Sequence, residues 1–163
     1  MNELFSPPGT DWRPVSGALA RMRRVLLVGA AVLLEVAVVV VAALTPLPGG
    51  LAVLVGVLVT AAAVAGWVLV GRNARWWGYA ERDEDLYVRH GALFTTLVVV
   101  PYGRMQYVDV QTGPLERAFG VASVHLHTAS PGTSARIPGL PAAEAARLRD
   151  RLTSLGESQA AGL

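Results

Sequence analysis

VLLVGAAVLLEVAVVVVAAL (Val25 to Leu44) and LAVLVGVLVTAAAVAGWVLV (Leu51 to Val70) are the two stretches whose reading decides the fold. The first carries one charge, Glu35, and the second none. Twenty helical residues reach about 30 Å, the thickness of a bilayer's hydrocarbon core. Between the runs lies Thr45-Pro-Leu-Pro-Gly-Gly50, whose prolines and glycines break helix and permit a tight reversal. Two spans joined so closely must form an antiparallel hairpin. A cleaved signal peptide is the weaker reading of the first run, which is too long for such a segment and is followed at once by another span. A buried hairpin in a soluble protein fails too, since the remaining chain is too small to cover two apolar helices.

Arginine placement orients the hairpin. Arg21, Arg23 and Arg24 precede the first span, Arg72 and Arg75 follow the second, and the connecting turn has none. The positive-inside bias predicts that both termini are cytoplasmic. Trp67, Trp76 and Trp77 flank the exit of the second span and Trp12 precedes the first, where indole rings favour the headgroup level. The expected organisation is a juxtamembrane segment (1–24), the hairpin (25–70), a cytoplasmic domain (71–156) and a flexible tail (157–163).

Glu35 sits at mid-bilayer, where a carboxylate costs roughly 2.5–3.5 kcal/mol and is therefore neutral, partnered or both. It lies nine residues before Leu44, and Thr60 lies nine after Leu51, so the hairpin sets both at similar depth. Thr60 shares a small-residue stripe with Gly56, a face that allows close helix approach. A neutral Glu35 carboxyl, hydrogen-bonded to Thr60 or to a neighbouring subunit, is favoured over a proton relay, because the spans offer no further polar path.

The chain has 163 residues, 53% of them apolar, a mean hydropathy of +0.44 and a net charge of +2. All 14 basic residues are arginine, and the absence of cysteine rules out disulfides and thiolate metal sites. From Gly71 onward ten arginines face nine acids, too even a balance for a nucleic-acid binder.

Past Arg75 the pattern shifts to short alternating runs bounded by turn residues, which predicts strands. They are Asp85 to His90, Leu93 to Pro101, Met105 to Gln111, Val121 to Thr128 and a short fifth at Ser134 to Ile137, with turns at Gly113-Pro114 and Ser130-Pro-Gly132. A helix follows, with Pro141 in its first position, an apolar stripe of Ala145, Leu148, Leu152 and Leu155, and Gly156 as its stop. Strands followed by one amphipathic helix predict an α+β domain, an antiparallel sheet closed by that helix.

The stretches DLYVRHG (Asp85 to Gly91), VPYGRMQYV (Val100 to Val108), GPLERAFG (Gly113 to Gly120), Val121 to Ala129 and IPGLPAAEAA (Ile137 to Ala146) occur in an order that resembles the bacterial pleckstrin-homology-like domain of YdbS-like membrane proteins. The resemblance extends to Trp12-Arg-Pro-Val-Ser16 and the hairpin. It implies a small PH-like barrel or sandwich closed by the C-terminal helix, and no catalytic residue or cofactor.

Candidate chemistry is sparse. His125 and His127 share one face of a strand and can supply two metal ligands, but zinc needs a third, so a solvated sheet face with no metal is the expectation. Glu81, Asp83, Glu84 and Asp85 read as a solvated turn. No nucleophile, phosphate-loop or dinucleotide motif is present. Arg104 and Arg117 are candidates for recognising a lipid headgroup or an acidic peptide, against a structural alternative of ion pairs to Glu116 or Asp109. The expected function is a non-enzymatic membrane-anchored module for assembly with membrane proteins or with itself. The alternatives are an anionic-lipid sensor and a small proton-coupled transport component built on Glu35.

Overall fold

The computed structural model describes residues 10–46, 48–129 and 134–161. Residue 47 of the interhelical connection and the turn expected at 130–132 lie outside them. The chain divides into two compact units: Ala20–Arg72, and a head that joins the residues up to Leu19 with those from Asn73 onward.

The first unit is the hairpin. Helix α1 (Gly17–Leu44) and helix α2 (Gly49–Trp76) both run beyond the apolar stretches at their arginine-bearing ends. Half-buried positions recur at spacings of three and four: Leu27, Ala31, Glu35, Val38 and Ala42 on α1, and Ala52, Gly56, Val59, Ala63 and Gly66 on α2. That spacing marks the seam along which the two helices face each other. A methyl group on Gly66 would press on Leu27, and one on Gly56 would press on Glu35. In the apolar stretches, most side chains outside the seam are exposed, Leu33 and Val53 among the most, as a lipid-facing surface requires.

The head holds two antiparallel sheets. Strands β1 (Arg13–Pro14), β2 (Gly78–Glu81), β3 (Asp85–His90) and β4 (Thr96–Pro101) form one in sequential order. A 3-10 turn (Tyr102–Arg104) leads to the second, of β5 (Met105–Gln111), β6 (Val121–Thr128) and β7 (Ala135–Pro141), with the short helix α3 (Pro114–Ala118) between β5 and β6. Helix α4 (Ala142–Ala161) closes the chain. The core gathers Leu86, Val88 and Val100 from the first sheet, Val124, Leu126, Ile137 and Leu140 from the second, and Ala145, Leu148 and Leu152 from α4, all at most 1% exposed. The sheets remain separate, so of the two expected forms the closed barrel is not the one observed.

The tertiary structure departs from the sequence expectation at several points. The segment before the first span is not merely juxtamembrane: Arg13 pairs with Tyr79 and Pro14 with Gly78, and the Ser16 amide donates to the Gly139 carbonyl at 3.0 Å. Leu19 is buried against Gly139, whose φ of +71° and lack of a Cβ both suit that contact. The run from Leu93 begins its strand only at Thr96, because Gly91 (φ +96°) turns the chain and a side chain there would strike the Phe94 carbonyl. The fifth strand extends to Pro141, which ends β7 instead of opening the helix; β7 is an edge strand, where a missing N–H is tolerated. Gly156 does not stop α4, which continues through residues expected to form a tail; it lies where the helix meets Met105 and Tyr102.

Candidate functional site

The hairpin brings its two interior polar side chains together. The Thr60 hydroxyl donates to Glu35 Oε1 at 3.0 Å, beside Gly56. Near the arginine-bearing ends of the same unit, the Arg24 guanidinium lies 4.6 Å over the Trp67 ring. Arg21, Arg72 and Arg75 are exposed, and Arg23 is half-buried.

The other tryptophans belong to the head. Arg89 lies over Trp12 at 4.5 Å and over Trp76 at 5.5 Å, and burial lowers its pKa. Trp77 donates to Asn73 Oδ1 at 3.0 Å and stacks on His90 at 4.8 Å. These rings thus pack on the end of β3 where β2 begins. The β3–β4 turn at that end carries Leu93 and Phe94, 72% and 88% exposed. Sequence reasoning missed Arg89, although its position one residue before His90 on a strand beside a tryptophan pair was a usable signal.

The expected acidic turn is divided. Arg82 pairs with Asp85 at 3.8 Å on the surface, but Glu81 is drawn inward with its side chain only 9% exposed. It meets Arg147 at 2.5 Å, Arg151 at 2.8 Å and Arg13 at 3.6 Å. Glu144 accepts from Arg147 at 2.7 Å, from the Tyr79 hydroxyl at 2.5 Å and from Arg13 at 3.3 Å. The Arg147 bonds, helped by Tyr79 and against partial burial, hold the Glu144 carboxyl at about 2. Burial, reinforced by the bond to Glu144, pushes Tyr79 up to about 12. The same carboxylates raise the pKa of Arg147. This network joins β1, β2 and α4, so Glu81 belongs to the fold and not to a solvated turn.

Arg104 and Arg117 are exposed and form no ion pair among the described residues. Glu116 is engaged otherwise: it accepts from Ser123 at 2.8 Å and the Gly113 amide at 2.9 Å, with Arg136 at 3.8 Å. Arg104 lies in the 3-10 turn before β5 and Arg117 on α3 after it.

Two features of the second sheet were not anticipated. A groove of about 310 Å³ runs between β5 and α4, lined by Met105 to Val108 and by Leu152, Thr153, Gly156 and Glu157. On the polar face, Asp109 lies opposite His125 and Tyr107 opposite His127. Ser123 on that face is buried rather than solvated. The ligand atoms of Asp109, His125 and His127 all lie within 4.8 Å of one another. Tyr107, Asp109 and Gln111 alternate on one face of β5 as the histidines do on theirs, but the register that sets Asp109 opposite His125 was not legible in the sequence.

The family profile described as bacterial PH domain matches residues 24–155. The chain is 37% identical over 79 residues to the transmembrane protein YdbS of Bacillus subtilis (strain 168), covering 48% of each chain. The match thus spans about half the length of that curated relative. No solved structure matches. Two helices long and apolar enough to cross a bilayer, together with a transmembrane relative, fit a membrane protein with two spans. With the profile running from the first span into α4, the chain belongs to the bacterial PH domain family as a YdbS-like membrane protein.

Proposed function

We propose that the chain is a non-enzymatic, membrane-anchored assembly module whose head captures an extended segment of another membrane protein at the cytoplasmic face. The groove between β5 and α4 carries this reading. Strand β5 ends its sheet, so among the described residues it pairs with β6 alone, with a bulge between Met105 and Tyr107. Main-chain pairing along such an edge supplies affinity, while a flanking groove selects side chains. Tyr107, 56% exposed at the rim, is the natural anchor. Tethering raises the local concentration of partners in the same membrane, so modest affinity suffices. Arginine bias supports the cytoplasmic side, and β1–β2 pairing puts the chain before the first span on the same side as the head.

A photo-crosslinking amino acid at Gln106 or Thr153, in cells at native expression, tests the reading. Discrete protein adducts from these positions and none from exposed Arg149 are expected; a second copy of the chain would identify the partner as self. Adducts to lipid alone would overturn it.

The β3–β4 turn favours a second reading, contact with the bilayer surface. Leu93 and Phe94 are exposed at the end of the sheet from which β2 departs after α2. The cysteine-free chain permits a single Phe94→Cys label with an environment-sensitive dye. A blue shift in liposomes absent from a Ser154→Cys control supports contact, and equal spectra refute it.

A further inference from the structure

We propose that Asp109, His125 and His127 form a binding site for a divalent transition-metal ion, zinc by its ligand types, on the polar face of the β5–β6 pair. The proposal is independent of the groove reading. The i, i+2 spacing puts both imidazoles on one face, and the register sets Asp109 directly across from His125. His127 Nε2 stands 3.6 Å from Asp109 Oδ1. Two ligands about 2.1 Å from a tetrahedral zinc lie about 3.4 Å apart, so this pair is already spaced for one. The wider spacings, within 4.8 Å, close by side-chain rotation.

The hydrogen bonding leaves the right atoms free. Gln111 Nε2 donates to Asp109 Oδ2 at 2.9 Å, which fixes the carboxylate and leaves Oδ1 for another partner. Oδ1 and His125 Nε2 are both shielded from solvent without a hydrogen bond. Two shielded polar atoms without a hydrogen bond are costly in a sheet face, and a cation bound by the neutral imidazole and the carboxylate satisfies both. Charge agrees. Arg136, the nearest cation, is taken up by Ser123 at 3.1 Å and by Glu116 at 3.8 Å, which leaves the Asp109 charge to the site. Tyr107 stacks on His127 at 4.2 Å and restrains its ring. Three protein ligands leave a fourth position for water or for a donor from a partner.

The test uses the full-length protein without a polyhistidine tag, detergent-solubilised and stripped with a chelator, then titrated with zinc against a chromophoric competitor. One zinc per chain is expected, with affinity reduced on the order of 100-fold in His125→Gln, His127→Gln or Asp109→Asn, and about tenfold in Gln111→Ala. His90→Gln should bind as the unsubstituted chain does. Zinc should raise the unfolding temperature of the unsubstituted protein and not that of the His125→Gln/His127→Gln double variant, while both unfold alike in chelator. Equal zinc binding by that double variant, or no saturable binding by the unsubstituted chain, would overturn the proposal.

Discussion

The hairpin and the head both remove ionisable groups from water, and they do so by opposite means. Glu35 has a single hydroxyl partner across a seam of small residues. Glu81 and Glu144 in the head are held by three arginines and a tyrosine drawn from β1, β2 and α4. In hydrocarbon there is no water against which to measure a bond, and interhelical hydrogen bonds add little, because the separated helices find other partners. In the head, a carboxylate shielded from water without its cations is strongly destabilising. The polar pair of the hairpin therefore contributes little to stability, whereas the network in the head is a structural junction.

Breaking the junction mechanically should have the largest effect. Gly139→Ala puts a Cβ into Leu19 at a left-handed φ, with an expected loss of about 3 kcal/mol, read as a lower thermal midpoint of the solubilised protein. Equal midpoints would show that the segment before the first span does not dock on β7. Glu81→Ala strands Arg151 and leaves Arg147 with Glu144 alone, and should cost about 2 kcal/mol, lowered from a fully buried case by the exposure of the guanidinium groups.

Titration sharpens the same contrast. Glu144 has its folded pKa depressed from 4.5 to about 2, so its contribution is fully present above the unfolded value and disappears as pH falls from 4.5 through 2. Tyr79 has its pKa raised from 10.0 to about 12, so its contribution is present below 10 and lost as pH rises toward 12. Thermal midpoints across pH should fall at both ends, and Glu144→Gln should flatten the acid limb at a cost of about 1 kcal/mol at neutral pH. An unchanged acid limb in that variant would remove Glu144 from the account.

The smallest effect belongs to the membrane. Glu35→Leu should loosen the hairpin by about 0.6 kcal/mol in SDS-driven unfolding, and Glu35→Gln should leave it within error. Loss of function in the Gln variant alone, with the hairpin intact, would turn the pair from packing to a proton relay.

Much of the head was legible because period-two alternation is local: Asp85 to His90, Met105 to Gln111 and Val121 to Thr128 match the strands to the residue. Strands β1 and β2 were not, since Arg13-Pro14 and Gly78-Tyr-Ala-Glu81 are too short to alternate and exist only because they pair with each other and with β3. Helix α3 was hidden in a stretch read as a turn. Of the candidate residues, Glu35 and Thr60 could be matched by counting from one turn. Glu81 could not be told from its acidic neighbours, because what separates them is which side of the strand meets α4.

By itself the sequence determined the elements that chain connectivity and solvent impose. Two long apolar runs, with Glu35 as their one charge, across a six-residue break leave only an antiparallel hairpin, and alternation with turn residues leaves only strands. Tertiary structure alone decided the union of the segment before the first span with the head, the three-arginine junction at Glu81, and the meeting of Asp109 with His125 and His127. Each of these rests on registers between segments far apart in the chain, set by how whole faces fit together and not by any local propensity.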